Sequence, residues 1–390
     1  MPGAVIKRKS EKKTRSKYKL FATTAAGLED TLAAELKGIG ARGVKQAVRG
    51  VAFEGDLDTV YQANLWLRTA HRVLLELVEF DASDREALYE GVTLVHWGDH
   101  LSVDGSLAVD AVSSGSELDH TQFISRVVKD GIVDGFRRRH GRRPNVDPKD
   151  PDLRLNARLM NNRCTLSIDT SGRRLHRRGY RPAFGVKAPL KETLAAGILL
   201  KSGYDGSAPL VDPMCGSGTF LVEGALIAKN IAPGLLDRNF GFMRHPSFDK
   251  KMYRNLVTQA KATIRNDKDY VIVGSDISED ALRAAGFAAQ GAGVDDLVRL
   301  RRSSFTALAF RGEGMVVTNP PYGERLGEME DLAELYQNLG DVLKRRCRGM
   351  SAHIITGSKF LAGKIGLHPK RRDILWNGPL ECRLLHFDLY

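Results

Sequence analysis

The sequence predicts an α/β protein in two parts: a Rossmann-like domain on a mostly parallel sheet, preceded by an α+β half. Two observations carry this. From Pro189 onward, short apolar runs alternate with helical sequence, as in a doubly wound sheet. Before it, short strands and helices mix without that alternation, and basic, turn-rich sequence separates the two regimes.

Composition bounds the functions open to such a chain. Its 390 residues suffice for two or three domains, and 42% hydrophobic residues can build real cores. Lys plus Arg outnumber Asp plus Glu by 59 to 47, a formal net charge of +12 that favours a polyanion partner. The four cysteines, Cys164, Cys215, Cys347 and Cys382, lie far apart without a C-x-x-C, so neither zinc nor a disulfide framework is signalled. No run approaches the ~18 apolar residues of a membrane span, and the N-terminus has no apolar signal core. A cytoplasmic protein with no metal site and no membrane contact is expected.

Taken in order, residues 1–19 carry eight Lys/Arg against one Glu and read as a disordered basic arm. Strand, turn and helix follow, the helix with Leu28, Leu32, Ala33 and Leu36 on one face and Gly38 and Gly40 as its stop. R-G-V-A-F-E-G reads as a strand, Tyr61, Leu65 and Leu67 mark a helix, and R-V-L-L-E-L-V-E-F a buried strand. A second unit has a helix near Arg85–Gly91, the strand S-L-A-V-D-A-V-S, a helix from Thr121 to Arg139 and the strand C-T-L-S-I-D-T-S. Two basic runs follow its helix and its last strand. Arg137, Arg138, Arg139, Arg142 and Arg143 form the first; Arg177, Arg178 and Arg181, behind Arg173 and Arg174, form the second. Their spacing suits a phosphate backbone, with Tyr180 available to stack on a base, and the alternative is a solvated linker.

In the C-terminal part, K-E-T-L-A-A-G-I-L-L reads as an apolar-faced helix. A-P-L-V-D-P, Y-V-I-V-G-S-D, G-M-V-V-T-N-P and S-A-H-I-I-T-G read as strands, and the chain closes on a hairpin about Asn377-Gly378. Three strand ends hold chemistry. Asp212 ends the first, and Gly216 and Gly218 in the turn beyond it let the backbone approach a ligand. A Walker phosphate loop is excluded because no Gly-Lys-Ser/Thr follows, and the third glycine of a dinucleotide fingerprint is missing. Asp276 ends the second strand after an insertion containing N-F-G-F; it can accept both ribose hydroxyls, or cap the next helix. At the third, V-V-T-N-P-P-Y stops a strand with two prolines in a stiff turn. There the Asn319 amide oxygen and the Pro320 carbonyl can accept both hydrogens of an exocyclic amine, while Tyr322 stacks on its base.

D-P-M-C-G-S-G-T together with N-P-P-Y resembles the class I S-adenosylmethionine-dependent methyltransferases that modify exocyclic amines. F-A-T-T-A-A-G-L-E, L-Y-E-G-V, R-R-P-N-V-D, R-R-G-Y-R, P-L-K-E-T-L-A-A and N-P-P-Y-G-E-R-L narrow the resemblance to bacterial 23S rRNA guanine-N2 methyltransferases with a THUMP domain. The resemblance implies a ferredoxin-like segment over 20–59, a THUMP RNA-binding domain over 60–170, a basic linker over 171–188 and a methyltransferase domain over 189–390. That last domain would hold a mostly parallel seven-stranded sheet ending in an antiparallel hairpin. It implies S-adenosylmethionine held at its methionine end by Asp212, Gly216, Gly218 and Thr219, at its ribose by Asp276 and beside Asn319. Asn319, Pro320, Pro321 and Tyr322 would hold the guanine amine. Where such enzymes often place an acid near the adenine, R-L-R-R-S-S-F offers Ser303 or Ser304. The implied partner is 23S rRNA or a ribosome assembly intermediate, contacted through the arginines above. A second, N7-directed methyltransferase domain, fused in some members, is expected to be absent. The rival readings are a tRNA guanine-N2 enzyme, a DNA adenine-N6 enzyme, an NAD-dependent oxidoreductase and a noncatalytic RNA-binding assembly factor.

Overall fold

A computed structural model describes residues 17–182, 190–236, 239–267, 272–310, 312–323 and 326–390; of the expected basic arm, residues 1–16 lie outside that range. Tyr18 and Lys19, the arm's last residues, already belong to the first strand.

The N-terminal half opens with β1 (Tyr18–Thr23), α1 (Glu29–Gly38), β2 (Arg42–Ala47), β3 (Gly50–Gly55), α2 (Leu57–Trp66) and β4 (Arg72–Asp81). It continues with α3 (Arg85–Thr93), β5 (Ser106–Ser114), α4 (Thr121–His140), β6 (Asn145–Val146), β7 (Leu153–Met160) and β8 (Arg163–Asp169). The first six elements make a βαββαβ unit, so a boundary at residue 59 falls inside α2. Asp56 sets the start of α2 with a reciprocal cap: its carboxylate accepts from the Thr59 amide and the Thr59 hydroxyl accepts from the Asp56 amide. All strands join one sheet in the order β2-β3-β1-β4-β8-β7-β5-β6, and the antiparallel β4–β8 seam, with Leu75 opposite Ile168, fuses the two units.

The C-terminal half runs α5 (Glu192–Lys201), β9 (Leu210–Asp212), α6 (Thr219–Ala228), α7 (Lys250–Ala262), β10 (Ile272–Asp276), α8 (Glu279–Ala292) and β11 (Val298–Arg302). Then come β12 (Met315–Thr318), α9 (Leu326–Arg346), β13 (Ser351–Thr356), α10 (Lys359–Lys364), β14 (Arg371–Asn377) and β15 (Leu380–Asp388). Its sheet is ordered β11-β10-β9-β12-β13-β15-β14, parallel through β13, with β15 antiparallel to β13 and to β14. The winding reverses between β9 and β12, and the crevice beyond their carboxyl ends is where such sheets hold ligands. The hairpin loop is Gly378-Pro379, one residue later than expected, because Asn377 still pairs with Leu380 and Gly378 takes the left-handed φ of +66°.

The halves are packed together by apolar and polar contacts. The N-F-G-F insertion supplies Phe240 and Phe242, which bury with Tyr253 against Tyr61 of α2; the Tyr61 and Phe242 ring centroids are 4.6 Å apart. Leu28 leaves the face it was expected to share with Leu32 and Leu36 and packs on α5, where a Cβ on Gly197 would lie 2.4 Å from its Cδ1. Arg68, buried, donates to the Ile231 carbonyl at 3.0 Å.

Candidate active site

The apolar strand β9 ends on Asp212, which is 2% exposed and accepts from the Met214 amide at 3.2 Å. Burial pushes its carboxyl up to about 7, with the charge of Asp276 adding to the rise, and the nearby Thr318 hydroxyl and the Met214 amide opposing it. The turn beyond is stitched to the neighbouring strand tip. The Cys215 amide donates to the Ser275 carbonyl at 2.9 Å, and the Gly216 amide to Asp276 Oδ2 at 2.9 Å. Gly216 and Gly218 both adopt left-handed backbone, φ +52° and +75°. Gly218 occupies the N-cap of α6, and among the described residues no side chain caps that helix, so its first amides keep their partial positive charge.

The two roles open to Asp276 are separated by the fold. The cap of α8 is Ser278, whose hydroxyl accepts from the Ala281 amide at 3.2 Å. Asp276 instead takes the Gly216 amide on one oxygen and the Ser278 amide on the other, which leaves lone pairs on both for a ligand's hydroxyls. Ile277 follows it and is 72% exposed, an apolar surface beside this carboxylate. Sequence reasoning missed it; the signal was one apolar residue between a polar strand end and a helix cap.

Beyond β12, with Val316, Val317 and Thr318 buried, Asn319 Oδ1 is buried with no hydrogen-bond partner among the described residues. A buried acceptor left alone costs about 1–3 kcal/mol, so this oxygen is an acceptor awaiting a donor. Pro320 is buried and Pro321 exposed. Tyr322 is half-buried, its ring edge 3.1 Å from where a Cβ on Gly357 would lie, and burial raises its hydroxyl while Asn377 opposes the rise.

Two expected cofactor residues have other partners. The Thr219 hydroxyl accepts from Arg181 at 3.1 Å, and Ser304 caps the short turn at Phe305–Ala307, accepting from the Thr306 amide at 3.3 Å. Among the described residues no cluster of His, Cys, Asp and Glu could hold a metal ion, and no helix is long and apolar enough to cross a membrane.

The basic runs divide. Arg137, Arg138 and Arg139 end α4, and with Arg142 and Arg143 they are exposed; Arg137 pairs with Asp134 at 3.2 Å and Arg142 with Asp104 at 2.9 Å. Arg138 and Arg139 border a groove of about 530 Å³ that also includes His96, Trp97 and Phe136. In the second run only Arg177, with Arg173 and Arg174, is exposed. The expectation that Arg178, Arg181 and Tyr180 face RNA is corrected. Arg178 is buried, paired with Glu223 at 3.2 Å and donating to the Arg68 carbonyl at 2.7 Å; Tyr180 is buried and donates to Glu223 at 2.9 Å. Arg181 is half-buried and pairs with Glu192 at 3.0 Å. The two carboxylates draw these side chains inward; counting charges along the chain does not see them.

Three family models match successive parts of the chain: an RlmL ferredoxin-like domain at residues 19–74, a THUMP domain at 82–169 and an RMKL-like methyltransferase domain at 178–386. The chain belongs to the RMKL-like methyltransferase family. This RMKL-like chain is 43% identical over 382 residues to the Ribosomal RNA large subunit methyltransferase K/L of Syntrophotalea carbinolica, covering 95% of the chain and 53% of that protein. Against slr0064 of Synechocystis sp., a candidate RNA methyltransferase, it is 41% identical, with 95% and 96% covered. The chain thus spans about half the length of the K/L relatives and nearly all of the Synechocystis one. Among solved structures, SMU.472 complexed with SAH superposes on this RMKL-like fold with TM-score 0.88 at 31% identity, covering 97% of this chain and 99% of that one. A Listeria monocytogenes structure described as a predicted N6-adenine-specific DNA methylase superposes with TM-score 0.87 at 33% identity, with 96% and 97% covered.

Proposed function

We propose that this methyltransferase uses S-adenosylmethionine to methylate the exocyclic N2 amine of a guanosine in large-subunit ribosomal RNA. The observation that carries the amine is Asn319 Oδ1, a buried acceptor without a donor among the described residues, at the switch point of the sheet. S-adenosylmethionine supplies an electrophilic methyl on a sulfonium. The residues present suit it: an unpaired helix N-terminus for a carboxylate, Asp212 for an ammonium, Asp276 with free lone pairs for ribose hydroxyls, and exposed Ile277 for the flat face of the adenine. Asn319 Oδ1 and the Pro320 carbonyl would accept the two amine hydrogens, which aims the nitrogen lone pair out of the base plane. Pro320 and Pro321 hold that pair of acceptors rigid, so the acceleration comes from positioning in a site screened from water. The guanine must leave its stack to reach them.

Support for rRNA over other nucleic acids comes from the THUMP match, the exposed arginines around α4 and the names of the K/L relatives. The Listeria structure's description raises a second reading, the adenine amine of DNA, since the same two acceptors fit either NH2 group. Labelled-methyl transfer to 23S rRNA, tRNA and duplex DNA, followed by nucleoside mass spectrometry, separates them. The expected product is N2-methylguanosine from 23S rRNA; N6-methyladenine from DNA would overturn the reading. In the same assay Asn319→Ala should lose about 10²-fold or more in transfer while still binding S-adenosylhomocysteine.

A further inference from the structure

The stretch Arg178–Arg181, removed above from the RNA face, lies against the start of α6. Arg181 donates from Nη2 to Thr219 Oγ1 at 3.1 Å and to the Leu190 carbonyl, and its Nε pairs with Glu192 Oε1 at 3.0 Å. One guanidinium therefore holds the first residues of α5 and α6 together. Four residues along α6, Glu223 takes the Tyr180 hydroxyl at 2.9 Å and Arg178 at 3.2 Å. Arg178 also donates to the Arg68 carbonyl at 2.7 Å, which anchors the stretch to the N-terminal half.

Taken by itself a helix N-terminus disfavours a cation. Helix N-termini carry partial positive charge, so Arg181 opposes two dipoles, offset by its ion pair with Glu192 and by the charge of Glu223. What arginine offers is a planar fork that fixes several acceptors in set directions, which an ammonium does not. One of the acceptors it fixes, Thr219 Oγ1, lies one residue past Gly218, whose φ of +75° has to be held for the turn to keep its shape. A local rule broken at the entrance to a ligand turn marks a functional constraint.

We propose that Arg181 is a positioning residue for the cofactor turn. By tying Thr219 to Glu192 and Leu190 it sets how α6 begins, and so where the Gly216–Gly218 amides stand. It does not touch the cofactor. The inference rests on the assignment of that turn to S-adenosylmethionine and is independent of which nucleic acid is methylated.

The test is calorimetry of S-adenosylhomocysteine with the full chain, without RNA, beside melting temperature and RNA affinity. Arg181→Met should weaken the product about tenfold or more, the loss of a hydrogen bond to a charged donor, with RNA affinity unchanged. Arg181→Lys should recover only part, because the fork is lost while the charge stays. Thr219→Val removes the same hydrogen bond from its other end, and keeps the proposal testable if Arg181→Met fails to fold. Adding Thr219→Val to Arg181→Lys should then cost much less than it does in the parent chain. Equal cost in both backgrounds would mean that Thr219 meets the cofactor itself, which overturns the proposal. Parallel losses in melting temperature, RNA affinity and product affinity would reduce Arg181 to a packing role and overturn it too. If the parent chain binds no S-adenosylhomocysteine, the cofactor assignment fails first.

Discussion

Asp212 has a protonation state that its environment, not its chemistry, decides. Buried at the end of β9, its carboxyl is pushed from an ordinary 3.8 up to about 7. Between those values the folded chain holds a proton that the unfolded chain has released, so this group makes the unliganded protein less stable as pH rises from about 4 to 7. Ligand binding has the opposite sign. An ammonium placed beside Asp212 favours the carboxylate, so below about pH 7 binding must expel a proton. Affinity for S-adenosylhomocysteine should therefore tighten as pH rises, by up to about tenfold per unit, and level off above about 7. Calorimetry across that range checks it, and Asp212→Asn should flatten the curve; a flat curve in the parent chain would remove Asp212 from the ammonium. The motif made Asp212, Gly216, Asp276 and Asn319 legible as candidates. It did not show that Asn319 Oδ1 lacks a partner among the described residues, which depends on packing, nor which of Asp276 and Ser278 caps α8, since local spacing allows either and the Gly216 amide that engages Asp276 is distant in sequence.

At the scale of elements, the turn between β9 and α6 is the most constrained piece. A Cβ on Gly218 would lie 2.8 Å from the Ala285 Cβ of α8, and its φ of +75° is a left-handed angle that alanine adopts at a cost of about 1–2 kcal/mol. Gly218→Ala should lower the melting temperature by several degrees and weaken S-adenosylhomocysteine. Adding Ala285→Gly should relieve the contact and leave the φ strain, so recovery should be partial. Full recovery would show that backbone angle is immaterial there. Element types were mostly legible where a strand or helix buries one face. Four strands had no reading as such: β2, the two-residue β6, β7 and β11. All but one of the β2 residues are exposed, and β11 is V-R-L-R-R at the edge of its sheet, so neither presents an apolar run. β7 alternates cleanly between buried and half-exposed, but L-R-L-N-A-R-L-M follows a proline- and aspartate-rich stretch that reads as loop.

Across the whole molecule, burial sorts the arginines into two populations that should respond to different measurements. Replacing Arg137, Arg138, Arg139, Arg142 and Arg143 with glutamine should weaken RNA binding uniformly and reduce the salt slope by about 0.7–0.9 for each phosphate no longer neutralised. Arg137 and Arg142 should contribute least, because Asp134 and Asp104 already compensate them. Arg178→Gln should leave the slope alone and lower stability by about 3–5 kcal/mol, since it strands Glu223, fully buried, without its cation. A reduced slope for Arg178→Gln, or an unchanged one for the five-site variant, would refute this division.

What the sequence alone determined is local: alternating strands and helices, glycines where φ turns positive, two prolines that end β12, and the acid and amide residues at strand ends. Each follows from steric or hydrogen-bonding limits that act over a few residues. Tertiary structure decided the rest. The fusion of eight N-terminal strands through β4 and β8, and the burial of Arg178 and Tyr180 in place of an RNA-facing role, follow from contacts far apart in the chain. An arginine reads the same along the chain whether it meets a phosphate or a buried glutamate, and only the packing that removes it from water tells the two apart.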